Sequence, residues 1–297
     1  MERFPSPGET LLGEPLQLFP GGKGANQAVA AAMLARGTNT EVCFIGNVGN
    51  DDAGTRLVKS LSDAGIRGDG IRTVPDLATG TAMIWRDSRG NNCIVVSPAA
   101  NFYWSAERLA SLEALVHGAA LVLLQMEIPL EANQRVLDAA RAEKAFCIVD
   151  PAPARRLPEE FLRDVDLLTP NEVEACTLLE EPFHILEQDQ LPAVAEALLD
   201  MGPRAVLLKL GERGSFYKDR NQEIFESAHR VHAIDTTAAG DVFNGAFSVA
   251  FSIGSSIREA MRFASTAAAI SVTRAGAQSS IPTRSEILSL GNLESKV

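Results

Sequence analysis

Two short stretches carry residue types and spacings suited to handling a phosphate. Residues 234–247 read "IDTTAAGDVFNGAF". A turn of small residues, Thr237-Ala238-Ala239-Gly240, runs into an apolar, Ala-containing segment with helical character. Free N–H groups at a helix start, flanked by small side chains, make an anion site that a phosphate can approach closely. Yet two carboxylates, Asp235 and Asp241, flank the same turn. The helix dipole favours a carboxylate near its N-terminal end and accounts for one of them. The second stretch, residues 20–37, reads "PGGKGANQAVAAAMLARG". It is not a Walker A loop, because nothing matches GxxxxGK[ST]. It reads either as a plain glycine turn into a helix or as a polar cluster. That cluster would comprise Lys23, Asn26 and the N–H groups of Gly22 and Gly24, holding hydroxyls or phosphate.

Such residues need a scaffold, and the rest of the chain supplies an alternating pattern. "EVCFIGNVG" reads as a strand, and "DAGTRLVKSLSDAG" as an amphipathic helix closed by a C-terminal glycine. "ALVLLQMEIP", "AFCIVDPAP", "VDLLTPNE" and "RAVLLKLG" are short β-rich runs. Helical stretches at 106–116, 130–143 and 191–201 separate them. Strands alternating with helices predict an α/β fold: a mostly parallel sheet, helices on both faces, ligand groups at strand ends. Residues 79–98 predict a hairpin turning at Asp87–Asn92, suited to a small β lid, and residues 214–227 predict a second hairpin. The Ala-rich stretch 239–274 is helical.

Bulk properties narrow the function classes. The chain has 297 residues, a size for one α/β domain with a small lid. A net charge of −11 argues against a nucleic-acid partner, which needs a basic face. No apolar run approaches the ~20 residues of a membrane span, and the N-terminus lacks a signal-peptide pattern. Cys43, Cys93, Cys147 and Cys176 lie outside metal-ligand spacing of one another; they read as reduced core cysteines of a cytoplasmic protein. "AHRVHAI" reads as a strand that puts His229 and His232 on opposite faces, which disfavours a metal pair.

The pairing of "GGKGANQAVAAA" with "DTTAAGDVFNGAF" resembles the two signatures of the ribokinase-like, phosphofructokinase B-type sugar kinases. Further stretches are similar: "PSPGET", "LLQMEIPLE", "DPAPARRLP", "LTPNEVEA", "LKLGERG" and "SVTRAGAQSSIP". The likeness spans nearly the whole chain, and implies a single three-layer kinase domain over 1–297 with lid elements near 10–20 and 79–98. It implies Asp241 as general base toward a sugar hydroxyl, and Ala238, Ala239 and Gly240 as the anion hole. Gly22, Lys23, Gly24, Ala25, Asn26 and Glu127 would hold the sugar. Asn171, Lys209, Leu210, Gly211, Glu212, Arg213, Gly214, Gly240, Asp241 and Ser265 would lie against ATP. Glu174 would meet Mg²⁺ through water. Asp235, Thr237, Ser271, Arg274, Gly276 and Ser280 would hold K⁺, Arg274 through its carbonyl.

The activity this implies is phosphorylation of ribose at its terminal hydroxyl by ATP, with Mg²⁺ required and K⁺ activating. A kinase for another sugar or a nucleoside, or a non-catalytic binder, is the alternative. The resemblance also implies a homodimer through the lid. Two departures stand out. Family members begin with a central strand and an Asn-x-Asp stretch, so about twenty residues are expected to be missing here, exposing two strand edges. The other is "SPAANF" at 97–102, where the family often has Gly before Ala-Asn.

Overall fold

The computed structural model describes residues 1–88 and 92–294. Residues 1–20 form neither helix nor strand. Pro5, Pro7, Pro15 and Pro20 withhold the N–H groups that a ladder needs, and Leu12 and Leu16 are exposed. The segment 10–20, expected as a lid element, is therefore irregular chain. Its beginning lies against the hairpin: the Met1 ammonium donates to the Arg86 carbonyl (3.1 Å) and Ser88 Oγ to the Glu2 carbonyl (2.9 Å).

The regular elements follow the predicted alternation. Helix α1 (Lys23–Ala35) leads to β1 (Cys43–Gly49), α2 (Asp52–Asp63) and β2 (Arg67–Val74). The hairpin β3 (Thr81–Arg86) and β4 (Asn92–Ser97) comes next; residues 89–91 of its expected turn lie outside the described residues. The single helix expected over 106–116 is two, α3 (Ala106–Ala110) and α4 (Leu112–Val116). Ser111 separates them, its hydroxyl donating back to the Arg108 carbonyl (2.7 Å), a local bond that competes with the helix ladder. Then come β5 (Leu121–Gln125), α5 (Leu130–Glu143), β6 (Phe146–Asp150), α6 (Glu159–Leu162), β7 (Leu167–Leu168), α7 (Glu172–Leu178) and α8 (Leu191–Asp200). After β8 (Ala205–Lys209) the chain makes the second expected hairpin, β9 (Ser215–Asp219) and β10 (Glu223–Glu226). Three helices finish it: α9 (Ala239–Ser252), α10 (Ile257–Val272) and α11 (Arg284–Glu294).

A six-stranded sheet runs in the order β10-β9-β8-β7-β6-β5, with β5 to β8 parallel and β9 and β10 antiparallel. Alternate residues feed two cores on its two faces, as the period of a strand requires. Cys147, Val149, Leu168, Val206 and Leu208 join one core with helices α5 to α8. Ile148, Leu167, Ala205, Leu207 and Tyr217 join the other with α1, α9 and α10. The result is three layers.

Strands β1 and β2 form a separate parallel pair. No described strand lies between β1 and β5, although Phe44 of β1 and Gln125 of β5 both abut Gly24 at the start of α1. Among the described residues β1 pairs only with β2 and β5 only with β6. Cys147 and Cys176 are buried, whereas Cys43 and Cys93 are exposed, because Cys43 opens the edge strand β1 and Cys93 lies in the thin hairpin. The segment holding His229 and His232 is irregular, not a strand, and His229 Nε2 lies 2.8 Å from Thr266 Oγ1.

Candidate active site

The site is assembled where two helices start. Gly245 of α9 lies against α1: a Cβ there would fall 2.6 Å from the Gln27 carbonyl and 2.8 Å from the Ala30 Cβ. This close approach sets the first turn of α1 against the first turn of α9. Asn26 Nδ2 then donates to Asp241 Oδ2 (2.9 Å), and Gln27 Nε2 to Asp241 Oδ1 (3.0 Å). Ala238 caps α9 in the left-handed region at φ 61°, bending the Thr-Ala-Ala-Gly turn into the helix. Of the three expected anion-hole donors, the Ala239 N–H is taken by the Thr236 carbonyl (3.2 Å). The Ala238 and Gly240 N–H groups have no acceptor among the described residues.

Asp241 is 6% exposed. Burial pushes its carboxyl up to about 6; Lys23 opposes this, Asp150 adds to it, and the Asn26 and Gln27 amides pull it down. Lys23 is itself surrounded by carboxylates. Burial lowers its ammonium, but Asp241, Asp150, Glu174 and Glu127 outweigh burial and raise it. The backbone N–H of Lys23 donates to Glu127 Oε2 (2.8 Å), which fixes that carboxylate beside Gly22. Gly22, Lys23, Gly24, Ala25, Asn26, Glu127 and Asp241 therefore meet in one place, drawn from α1, the end of β5 and the start of α9.

Two members of this cluster, Gln27 and Asp150, went unrecognised in the sequence. Asp150 ends β6, 1% exposed, and accepts from Gln27 Nε2 (2.8 Å) and from Lys209 Nζ (3.0 Å). Gln27 thus bridges two carboxylates. The available signal was position: Asp150 is a carboxylate at the C-terminal end of a parallel strand, where such sheets carry their ligands.

The expected nucleotide residues divide. Asn171 and Glu174 make a capping box on α7; the Asn171 N–H donates to Glu174 Oε2 (2.7 Å) and its amide to Oε1 (2.9 Å). Burial raises the Glu174 carboxyl, Lys209 lowers it and Asp150 raises it further. The Lys209 N–H donates to the Pro170 carbonyl (2.8 Å), joining this loop to β8. Leu210 to Gly214 form a tight turn closed by the Leu210 N–H to the Gly214 carbonyl (2.9 Å). Gly214 is obligatory there: at φ 113° a Cβ would sit 2.0 Å from the Glu226 carbonyl. Glu212 is exposed, and Arg213 turns to Glu172 and the Leu186 carbonyl. Ser265 is buried along α10 and makes no hydrogen bond to the Asp241 cluster among the described residues.

The loop after α10 returns to Asp235. Asp235 Oδ1 accepts from the Thr237 N–H (3.0 Å) and hydroxyl (2.6 Å), and Oδ2 from the Gly276 N–H (3.1 Å). Burial opposes its ionisation, yet the Thr237 hydroxyl and the Gly276 and Thr237 N–H groups hold the carboxyl well below the usual range. Arg86 of the hairpin also donates to Oδ1 (3.0 Å), a contact the sequence did not suggest. The Arg274 guanidinium pairs with Glu286, turned away to α11, which leaves its carbonyl for the loop. Ser271 and Ser280 are buried, their hydroxyls donating to the Ala268 and Ala277 carbonyls (both 2.8 Å). This oxygen-rich set suits a large hard cation, which would share Asp235 with Arg86. Among the described residues no group of three or more His, Cys, Asp or Glu is placed to hold a metal. No described helix is long and apolar enough to cross a membrane.

Known proteins share this arrangement's frame. A family profile, pfkB family carbohydrate kinase, matches residues 2–284. The Schizosaccharomyces pombe ribokinase is 38% identical over 294 residues, covering 98% of this chain and 92% of that protein. The Thermotoga maritima ribokinase structure superposes with a TM-score of 0.85 at 39% identity, over 98% of this chain and 94% of that one. The Arabidopsis thaliana ribokinase, solved with ribose and ATP, gives 0.87 at 34% identity, over 97% and 93%. With such likeness along its full length, and a buried carboxylate poised at a small-residue helix turn, the chain belongs to the pfkB family of carbohydrate kinases.

Proposed function

We propose that this chain is an ATP-dependent ribokinase, converting D-ribose and ATP to ribose 5-phosphate and ADP. The observation that carries the reading is Asp241: a buried carboxylate, fixed by two amides, at the mouth of a helix turn with open N–H groups. Likeness to a ribokinase solved with ribose and ATP supports the choice of sugar.

The reaction then runs as an in-line transfer. Asp241 accepts the proton of the 5-hydroxyl as the sugar oxygen bonds to the γ-phosphorus. The bond from that phosphorus to the ADP oxygen breaks, and its electron pair leaves with ADP. The Ala238 and Gly240 N–H groups and the α9 dipole receive the charge on the transferring group. Asn26 and Glu127 hold sugar hydroxyls, Lys23 balances the surrounding carboxylates, and the loops at Asn171 and 209–214 hold the nucleotide. Glu174 would hold Mg²⁺ through water, and the ion would supply charge neutralisation for the ATP phosphates. The Asp235 loop would hold K⁺, which would supply positive charge to the same end of the site. The whole chain acts as one kinase domain with β3–β4 as its lid, working in the cytoplasm as a homodimer.

A panel of phosphate acceptors tests the reading. Purified protein with ATP, Mg²⁺ and K⁺ is expected to release ADP with ribose at a kcat/KM well above that for other pentoses, hexoses and nucleosides. The rate is expected to be higher in KCl than in tetramethylammonium chloride at equal ionic strength. A different preferred acceptor overturns the ribose assignment, and equal rates in the two salts overturn the K⁺ assignment.

A further inference from the structure

Lys209 is the last residue of β8, and its ammonium is buried in the site: its side chain is 12% exposed and that of Asp150 2%. One N–H reaches Asp150 Oδ1 at 3.0 Å. On its other side lies the anion-hole turn, since a Cβ added to Gly240 would fall 3.6 Å from Lys209 Nζ. A lysine ammonium has three donors and no acceptor. Among the described residues only Asp150 takes one of them, so two are left beside a turn whose own N–H groups also lack acceptors. Asp150 in turn reaches Asp241 through Gln27 Nε2. A purely structural ion pair does not need to sit between the base and the phosphate turn.

We propose that Lys209 is a catalytic residue whose ammonium donates to the transferring phosphoryl group, and that Asp150 is the positioning residue that aims it. The inference rests on the kinase reading and deepens it. As the sugar oxygen bonds to phosphorus and the ADP oxygen departs with its electron pair, negative charge spreads over the phosphoryl oxygens. Lys209 meets that charge without gaining or losing a proton; the hydroxyl proton goes to Asp241. Gln27 keeps Asp150 and Asp241 in fixed register, so the cation that Asp150 holds and the base are held in fixed relation to each other.

The test uses Lys209→Met and the double variant Lys209→Met/Asp150→Asn. The double variant removes both charges, so no lone buried carboxylate is left to unfold the protein. Folding is checked by circular dichroism. Turnover is measured with ribose, and binding of ATP, ADP and adenosine is measured by calorimetry. Loss of a single transition-state donor is expected to lower kcat by roughly 10²–10³-fold with little change in the ribose KM. ATP affinity is expected to fall while adenosine affinity holds. Asp150→Asn alone is expected to lower kcat less, and Asp150→Glu to restore part of that loss. A folded double variant with kcat and ATP affinity close to wild type overturns the proposal. The calorimetry needs no sugar, so ATP binding that depends on Lys209 in a protein that leaves ribose untouched supports the lysine and sinks only the ribose assignment.

Discussion

At the scale of one residue, Asp241 shows how a carboxyl is tuned by its surroundings. Burial lifts it to about 6, and Lys23 and two amides keep it from rising further. A general base works only unprotonated, so kcat/KM is expected to rise with pH through about 6 and level off above it. Removing the negative charge of Asp150 lowers the cost of ionising Asp241, so Asp150→Asn is expected to move that acid limb to lower pH. Stability runs the other way. A carboxyl raised from 3.8 to about 6 binds its proton more tightly when folded, so folding loses stability as pH climbs between those values. Asp241→Asn carries no such loss. It is expected to cut turnover by roughly 10²–10⁴-fold while the melting temperature at pH 8 is not lowered. Stopped-time ADP assays and thermal melts on one preparation check both halves; a variant with near-normal turnover removes Asp241 from the chemistry.

At the scale of elements, the site exists because α1 and α9 touch at Gly245. Gly245→Val would drive a side chain into the Ala30 Cβ and the Gln27 carbonyl. Overpacking of this kind is expected to cost about 1–3 kcal/mol in urea unfolding and to lower kcat as well, since Asn26 and Gln27 move with α1. A variant with wild-type stability and kcat shows that the contact is slack. Both helix starts were legible in the sequence, because glycine-rich turns running into Ala-rich stretches carry local signals. The α/β alternation was legible for the same reason, in the strand runs ending at Gln125, Asp150 and Lys209. What local patterns cannot show is partnership across the chain. Gln27 and Asp150 are 123 positions apart, and Arg86 and Asp235 149 apart, so neither contact was foreseen. Nor did propensity reveal the break at Ser111 or the irregular course of 227–233, where one hydroxyl and the packing of His229 on Thr266 decide.

At the scale of the molecule, the hairpin β3–β4 poses a packing problem. Met83, Ile84, Trp85, Ile94, Val95 and Val96 are all exposed. Strand alternation divides them: Ile84, Ile94 and Val96 share a face with Arg86, while Met83, Trp85 and Val95 share the other. A two-stranded hairpin with two bare apolar faces is marginal by itself. Arg86 reaches Asp235, so its face is the one turned toward the site, where a sugar and the anion-hole turn can cover it. The face of Met83, Trp85 and Val95 has no such cover among the described residues, and a second copy presenting the same strip can supply it, as symmetric dimers do. The protein is therefore expected to sediment at twice its 31.7 kDa mass. Trp85→Glu with Val95→Glu is expected to give monomers by repulsion across that strip, leaving the Asp241 cluster in place. Because the same hairpin is the lid, those monomers should bind ATP normally and show a raised ribose KM. Analytical ultracentrifugation decides the first point: a double variant that still sediments as the dimer places the interface elsewhere and leaves the outer face of the hairpin without a partner.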